Sequence, residues 1–343
     1  VTSASLAASG SRDAHRHRGR ASWAGVAGWP PELPGWHPEL ASRASIAIGS
    51  APRAVATGPQ RLGNAAANGR PQDVRVVNIR LGGPRNSWAV SSEHVDLRRA
   101  PVAPLPVTVD ARPQRLTLDL TRTAVVVVDM QNDFCHPDGW LASIGVDITP
   151  ARRPIAPLRR VLPVLRAAGV AVVWLNWGNR PDAANLPPGV LHVYNPDGAS
   201  GGIGAPARPG GSPTLQAGSW SAAIVDELAA QPGDVHVDKY RMSGFFDTPL
   251  DAVLRNLMVT TLLFAGVNSD QCVLATLTDA ACLGYDVVLL EDCAATTSPP
   301  FCHDATVYNV AQCFGFVASS ASFTDSLADP VDPVAFAESA GQG

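Results

Sequence analysis

After residue 118 the chain passes through six short strand-like segments, most of them continuously apolar, separated by stretches of helical period. They are TAVVVVDM (123–130), VAVVWLNW (170–177), DVHVDK (234–239), TTLLFAGV (260–267), YDVVLLED (285–292) and FGFVAS (314–319). Runs rich in β-branched residues, with little polar alternation, predict strands covered on both faces, as parallel strands are. Between them PIAPLRRVLPVLRAAG, SAAIVDELAA, TPLDAVLRNL, SDQCVLATLTDAACLG and HDATVYNVAQC have amphipathic helical spacing. Strand alternating with helix implies right-handed crossovers. The expected fold is α/β: a three-layer α/β/α sandwich around a six-stranded, mainly parallel, Rossmann-like sheet.

This domain is expected over residues 106–330, followed by a C-terminal tail at 331–343. Residues 1–105 differ in composition: SRDAHRHRGRASWAGVAGWPPELPGWHPELASRAS is rich in Ala, Gly, Pro, Arg and Ser and keeps neither structural period. Such a segment buries too little apolar surface to offset its ordering, so it reads as disordered, or as an artefactual extension upstream of the true start. The pieces VRVVNI and VTVDA, between residues 73 and 118, suit an arm that packs on the core or on a neighbouring subunit. The Pro/Gly-rich stretch from Gly178 to Gly218 has little period, and a loop of that length reads as a lid or an interface arm.

Residues 1–72 carry eight arginines against three acids, a pattern compatible with a nucleic-acid arm or a transit peptide. The whole chain has a formal net charge of -4, which gives no general drive toward nucleic acid or anionic membrane, so neither is an expected partner. No apolar run is long enough to span a bilayer. The six cysteines (135, 272, 282, 293, 302 and 313) lack the paired spacing of a zinc site. With no apolar leader in view, they read as reduced thiols in a cytoplasm.

In a doubly wound sheet, ligands bind beyond the carboxyl ends of the strands. Three polar residues fall there: Asp129 after the first strand, Lys239 at the end of the third, and Cys272 just past the fourth. Each has an ordinary explanation, as a helix cap, a snorkelling amine and a small buried hydrophobe. Together their chemistry is complementary. Cys272 follows Ser269 and Asp270, both good N-caps, so it is expected in a helix's first turn, where the dipole favours thiolate. Asp129 is suited to accept the thiol proton and pass it to a leaving nitrogen. Lys239 is the single lysine beside twenty-five arginines. A compact ammonium fits between a carboxylate and a thiolate where a rigid guanidinium fork would crowd the substrate.

DMQNDF, DKYRMSGFFDTPLD and GVNSDQCVLATLTDA, in that order, resemble the isochorismatase-like cysteine hydrolases. The likeness covers residues 118–328 and is nearest to the ureidoacrylate amidohydrolase, biuret hydrolase and N-carbamoylsarcosine amidase branch, through GSW, VDEL, QPGD, SGFF and TPLD. The resemblance implies Asp129 as base, Lys239 as charged partner and Cys272 as nucleophile. It also implies a cis peptide between Val267 and Asn268 that turns the N–H groups of Asn268 and Cys272 toward an oxyanion. Isochorismatases proper lack the cysteine, so Cys272 argues for amide or ureide cleavage through a thioester. Zinc-containing nicotinamidases carry an Asp-x-His pair after the second strand; here NWGNRPDAANLPPG has no histidine before His192, and no metal or other cofactor is expected.

The expected activity is therefore that of an amidohydrolase on a small molecule. The alternatives are a binding or scaffold protein with a relic triad, or a metal-assisted, nicotinamidase-like amidase. Asn176, Trp177, Arg180, Trp220, Tyr240 and Phe245 are candidate pocket walls because they flank strand ends or the long loop; Trp177 and Phe245 serve equally well as core. Arg180 suits a bidentate clamp on a substrate carboxylate. A homodimer or homotetramer is expected from the resemblance, from an apparently open flank on FGFVAS and from the long loop.

Overall fold

The computed structural model describes residues 79–199, 201–206 and 211–328. The expectations for residues 1–78 and for the tail at 331–343 lie outside these. From residue 79 the chain forms β1 (Ile79–Gly82), β2 (Ser87–Val90) and β3 (Val95–Asp96), a small antiparallel sheet. It is tied to the body of the protein by hydrogen bonds from Arg85 Nη2 to Gly169 O at 2.9 Å and from Asn86 Nδ2 to Asn256 Oδ1 at 3.1 Å. The expected extension thus includes an ordered, docked piece. Its strands are two to four residues long, too short to display a period.

The central sheet has seven strands in the order β5-β12-β11-β10-β7-β8-β9. All six expected strands are present: β7 (Thr123–Val128), β8 (Ala171–Trp177), β9 (Val235–Lys239), β10 (Thr261–Gly266), β11 (Asp286–Ala294) and β12 (Phe316–Ala318). They pair in parallel. Every residue of β7 and β10 is buried, which is why their sequences are apolar after a first threonine.

The seventh strand corrects the count. β4 (Pro106–Val109), β5 (Ala111–Arg112) and β6 (Leu116–Asp119) form the arm, and β5 joins β12 antiparallel. The flank of FGFVAS that looked open is therefore covered. The arm packs on its own domain, with Val107, Val109 and Leu118 buried in the core.

The main helices are α1 (Ile155–Ala167), α2 (Leu250–Asn256), α3 (Leu274–Cys282), α4 (Pro300–Asn309) and α5 (Ser320–Ala328). α1 and α5 pack against each other on one face, and the crossover order puts α2, α3 and α4 on the other. None of the helices among the described residues is long and apolar enough to cross a membrane.

One expected helix is absent. Residues 221–230 form turns, because their backbone pairs across the turn that follows β7. Asn132 N donates to Ala223 O at 2.9 Å, Asp133 N to Ser221 O at 3.0 Å and Val225 N to Met130 O at 3.1 Å. Long-range pairing overrides a helical pattern even though the segment is rich in good helix formers.

Candidate active site

The chain leaves β7 for β8 and β9 on one side, then returns to place β10 on the other. Such a switch opens a crevice at the strand ends. Asp129 follows β7 with φ of 51°, in the left-handed region that Asp tolerates better than most residues. Lys239 closes β9. Its Nζ lies 2.8 Å from Asp129 Oδ2, and both side chains are fully buried. The same ammonium donates to Arg241 O at 3.3 Å and stands 4.2 Å above the Trp177 ring. Both Asp129 oxygens are buried, and besides Lys239 the carboxylate faces the Cys272 thiol and the Trp177 backbone N–H.

Cys272 lies in a π-type first turn, Ser269–Val273, that leads into α3. Its thiol is buried and interacts with both Asp129 and Lys239, and Sγ is 3.7 Å from Met242 Sδ. Ser269 and Asp270 do not cap this helix as expected; they belong to its first turn, which has no side-chain cap. The Ser269 hydroxyl is instead 2.9 Å from His303 Nδ1. Upstream, Gly266 has φ of +111°, and a Cβ there would meet Val128 O at 2.0 Å, so only glycine lets this strand end close onto β7. The Val267–Asn268 peptide that follows is cis. Among the described residues no backbone acceptor takes the Asn268 N–H.

The electrostatics differ from the expectation in one respect. Burial holds Asp129 above the usual carboxylate range, against the pull of Lys239. Burial penalises the Lys239 ammonium, but the attraction of Asp129 and Cys272 outweighs it and holds the amine above its ordinary value. Burial pushes the Cys272 thiol well up; Lys239 opposes this and Asp129 adds to it. The helix start therefore does not by itself make a thiolate, because desolvation of a buried sulfur exceeds the help from the helix dipole. Moving the thiol proton to Asp129 leaves the net charge unchanged, so burial penalises that transfer far less than an isolated ionisation.

The isochorismatase domain family matches residues 123–322, more than half of the chain. The chain belongs to the isochorismatase family. It is 41% identical over 229 residues to the ureidoacrylate amidohydrolase RutB of Rhizobium rhizogenes (strain K84), across 66% of this chain and 92% of that protein. The crystal structure of a cysteine hydrolase from Pseudomonas syringae pv. phaseolicola 1448A is similar with a TM-score of 0.52 and 28% identity, over 62% of this chain and 94% of that one.

In this family member the expected pocket residues are dispersed in role. Asn176 is buried near the end of β8, and its Oδ1 has no partner. Trp177 is core and forms the floor under Lys239, its indole N–H held by Asn179 Oδ1 at 2.7 Å. Arg180 is exposed, and its fork is taken by Asp182 at 2.9 and 2.7 Å. Trp220 is half exposed, edge-on to His136 at 5.1 Å, beside the turn after β7. The Tyr240 hydroxyl donates to Asp247 O at 3.3 Å, and Phe245 packs on Tyr285 at 6.0 Å. Among the described residues no group of three or more His, Cys, Asp or Glu is arranged to hold a metal ion.

Several residues that support the site were not singled out from sequence. Gln131 accepts from Trp177 N–H at 2.7 Å and donates to Trp177 O at 2.8 Å, clamping the end of β8 against the turn that carries Asp129. Thr276 Oγ1 donates to Cys272 O at 2.7 Å and receives Gly244 N–H at 3.1 Å, joining the Cys272 and Lys239 loops. Met242 touches the thiol itself. A buried glutamine inside DMQNDF was the one available signal, since an amide in an apolar turn requires partners.

Proposed function

We propose that this chain is a cysteine-dependent amidohydrolase that cleaves a C–N bond of a small ureide, carbamoyl amine or amide through a thioester. The observation that carries the reading is the fully buried Asp129–Lys239 pair with the Cys272 thiol against both. A carboxylate left in that state is poised to take a proton. Asp129 removes the proton from Cys272 Sγ as the sulfur attacks the substrate carbonyl, and Lys239 stabilises both anions in turn. Backbone N–H groups of Asn268 and Cys272 receive the oxyanion. As the tetrahedral intermediate collapses, Asp129 returns the proton to the departing nitrogen and the C–N bond breaks, leaving a thioester. Water, deprotonated by Asp129, then cleaves the C–S bond and restores the thiol.

The amidohydrolase identity of the curated relative supports the reaction class. The reading is tested by a panel of ureides, carbamoyl amines and primary amides assayed for ammonia or amine release. Turnover that disappears in Cys272→Ser is expected, and a Cys272→Ser variant with most of its activity would remove cysteine catalysis. A homodimer or homotetramer is also proposed. It is supported by the exposure of Phe301 and Tyr308, seven residues apart on α4 at 69% and 62%. A light-scattering mass of one chain at working concentration, with full activity, would count against it.

A further inference from the structure

Asn268, whose N–H meets the oxyanion in the reading above, is buried and has its other polar groups committed. Its carbonyl accepts Gln271 N–H at 3.1 Å and Val273 N–H at 3.2 Å. Its side-chain Oδ1 accepts Thr297 N–H at 3.1 Å, and its Nδ2 donates to Gln271 Oε1 at 3.3 Å. Only the backbone N–H, for which no backbone acceptor exists among the described residues, is left over. A residue held at its carbonyl and at both ends of its amide presents the remaining donor in one direction.

Most of the holding comes from one stretch, residues 295–303, which runs from the end of β11 into α4. Ala295 N–H donates to Gly266 O at 3.2 Å, and Ala295 O accepts Ser269 N–H at 2.8 Å. Thr297 takes the Asn268 amide, and Ser298 Oγ accepts Gln271 Nε2 at 3.3 Å. The last contact is between side chains: Ser269 Oγ, fully buried, is 2.9 Å from His303 Nδ1. The stretch thus grips Asn268 itself and residues on both sides of it. Cys272 Sγ is held by a different set, Asp129, Lys239 and Met242, none of which belongs to this stretch. His303 is half-buried and borders a cavity of about 670 Å³, so shortening its ring enlarges an existing space without opening a void in the core.

We propose that residues 295–303 are the positioning element for the oxyanion donor of Asn268, and that His303, acting through Ser269 without touching substrate, is its side-chain anchor. The inference rests on the hydrolase reading above and adds to it residues that aim one N–H independently of the thiol. An oxyanion donor works only at its proper distance and angle, so loosening the turn weakens acyl transfer while leaving the sulfur as reactive as before.

Two reactions of Cys272 separate these effects without a known substrate. p-Nitrophenyl acetate acylates the thiol through an oxyanion and expels p-nitrophenolate, whereas iodoacetamide loses iodide in a direct displacement that forms none. Peptide mass mapping confines both readings to Cys272. His303→Ala and Ser269→Ala should each slow acylation at least about tenfold, a part of the loss that follows removal of a whole oxyanion donor, and leave alkylation within about twofold. His303→Asn, whose amide can occupy the place of Nδ1, should recover acylation to within about threefold of wild type. The double variant Ser269→Ala/His303→Ala should lose no more than the worse single one, because the two side chains act as one unit. Should His303→Ala fail to fold, Ser269→Ala carries the same expectation. Unchanged acylation in the folded variants, or an equal fall in acylation and alkylation, would overturn the positioning role while leaving cysteine catalysis standing. A wild-type protein acylated no faster than Cys272→Ala would overturn the hydrolase reading and the positioning role together.

Discussion

Asp129 and Asp133 stand four residues apart in DMQNDF, and both are buried, at 0% and 2% exposure. Their surroundings are opposite. Asp133 accepts Trp140 N–H at 3.0 Å and Leu215 N–H at 2.8 Å, with further help from Ser221. Fixed neutral dipoles occupy its oxygens, and the contact to Leu215 pins the far end of the long loop. Asp129 has the Lys239 cation at 2.8 Å and the Cys272 thiol against it. Burial raises both carboxyls. The difference lies in what each faces: a carboxylate held by fixed backbone N–H dipoles keeps structure, whereas one set between an ammonium and a thiol has a proton donor to take from.

The sharpest way to break this comparison is to neutralise each in turn. Asp129→Asn should lose about 10³-fold or more in kcat/KM, since no proton acceptor remains. The same variant should alkylate faster at Cys272, because the carboxylate that helps raise the thiol is gone while Lys239 remains. Asp133→Asn should keep turnover within about tenfold and instead lose about 1–3 kcal/mol of stability, as an amide N–H is turned against donors that needed an acceptor. Denaturant melts and steady-state kinetics on both variants read this directly. Equal effects of the two substitutions on turnover would dissolve the distinction.

Lys239 sharpens it next. Lys239→Arg preserves the charge but inserts a planar fork between Asp129, Cys272 and the Trp177 ring. A displacement of about an ångström costs about 100-fold in rate, so both Lys239→Arg and Lys239→Ala should fall by at least that factor in kcat/KM. Near-wild-type turnover in Lys239→Arg would mean that charge alone matters.

Much of this was legible. Most of the parallel strands announced themselves because a strand covered on both faces is largely apolar; β9, at the sheet edge with alternating burial, is the exception. Asp129, Lys239 and Cys272 were legible because each is a polar residue at or just past the carboxyl end of a strand. The seventh strand was not, since two residues carry no period and β5 exists only through its pairing with β12. Nor was the role of residues 221–230, whose pattern is helical while their backbone serves the turn that holds Asp133. The burial that raises the Cys272 thiol was not legible either: position in a helix is readable from sequence, but depth of burial is a property of the packed whole.

A smaller effect follows from the buried thiols. Cys272 and Cys293 are raised well above the ordinary thiol value of 9.0, and Cys135 is pushed up to about 12. Groups raised in the folded state contribute stability that is fully present below their unfolded pKa and is lost as pH climbs through the folded one. Urea melts should therefore show constant thiol-linked stability up to about pH 9 and a decline above it, shallower in Cys272→Ala. The smallest expected effect is that of prolonged dialysis against a strong chelator, which should leave activity unchanged; loss with recovery on adding zinc would favour metal-assisted cleavage.

The central claim, that Cys272 carries the acyl group, is tested most directly by acid-quenching the enzyme during turnover of an active ureide or amide and weighing the peptide that contains it. The account predicts a mass increase equal to the acyl fragment on Cys272, abolished in Cys272→Ala and accumulating when water attack is slowed. Turnover that proceeds with Cys272 never modified, and that survives its replacement by serine, would contradict it.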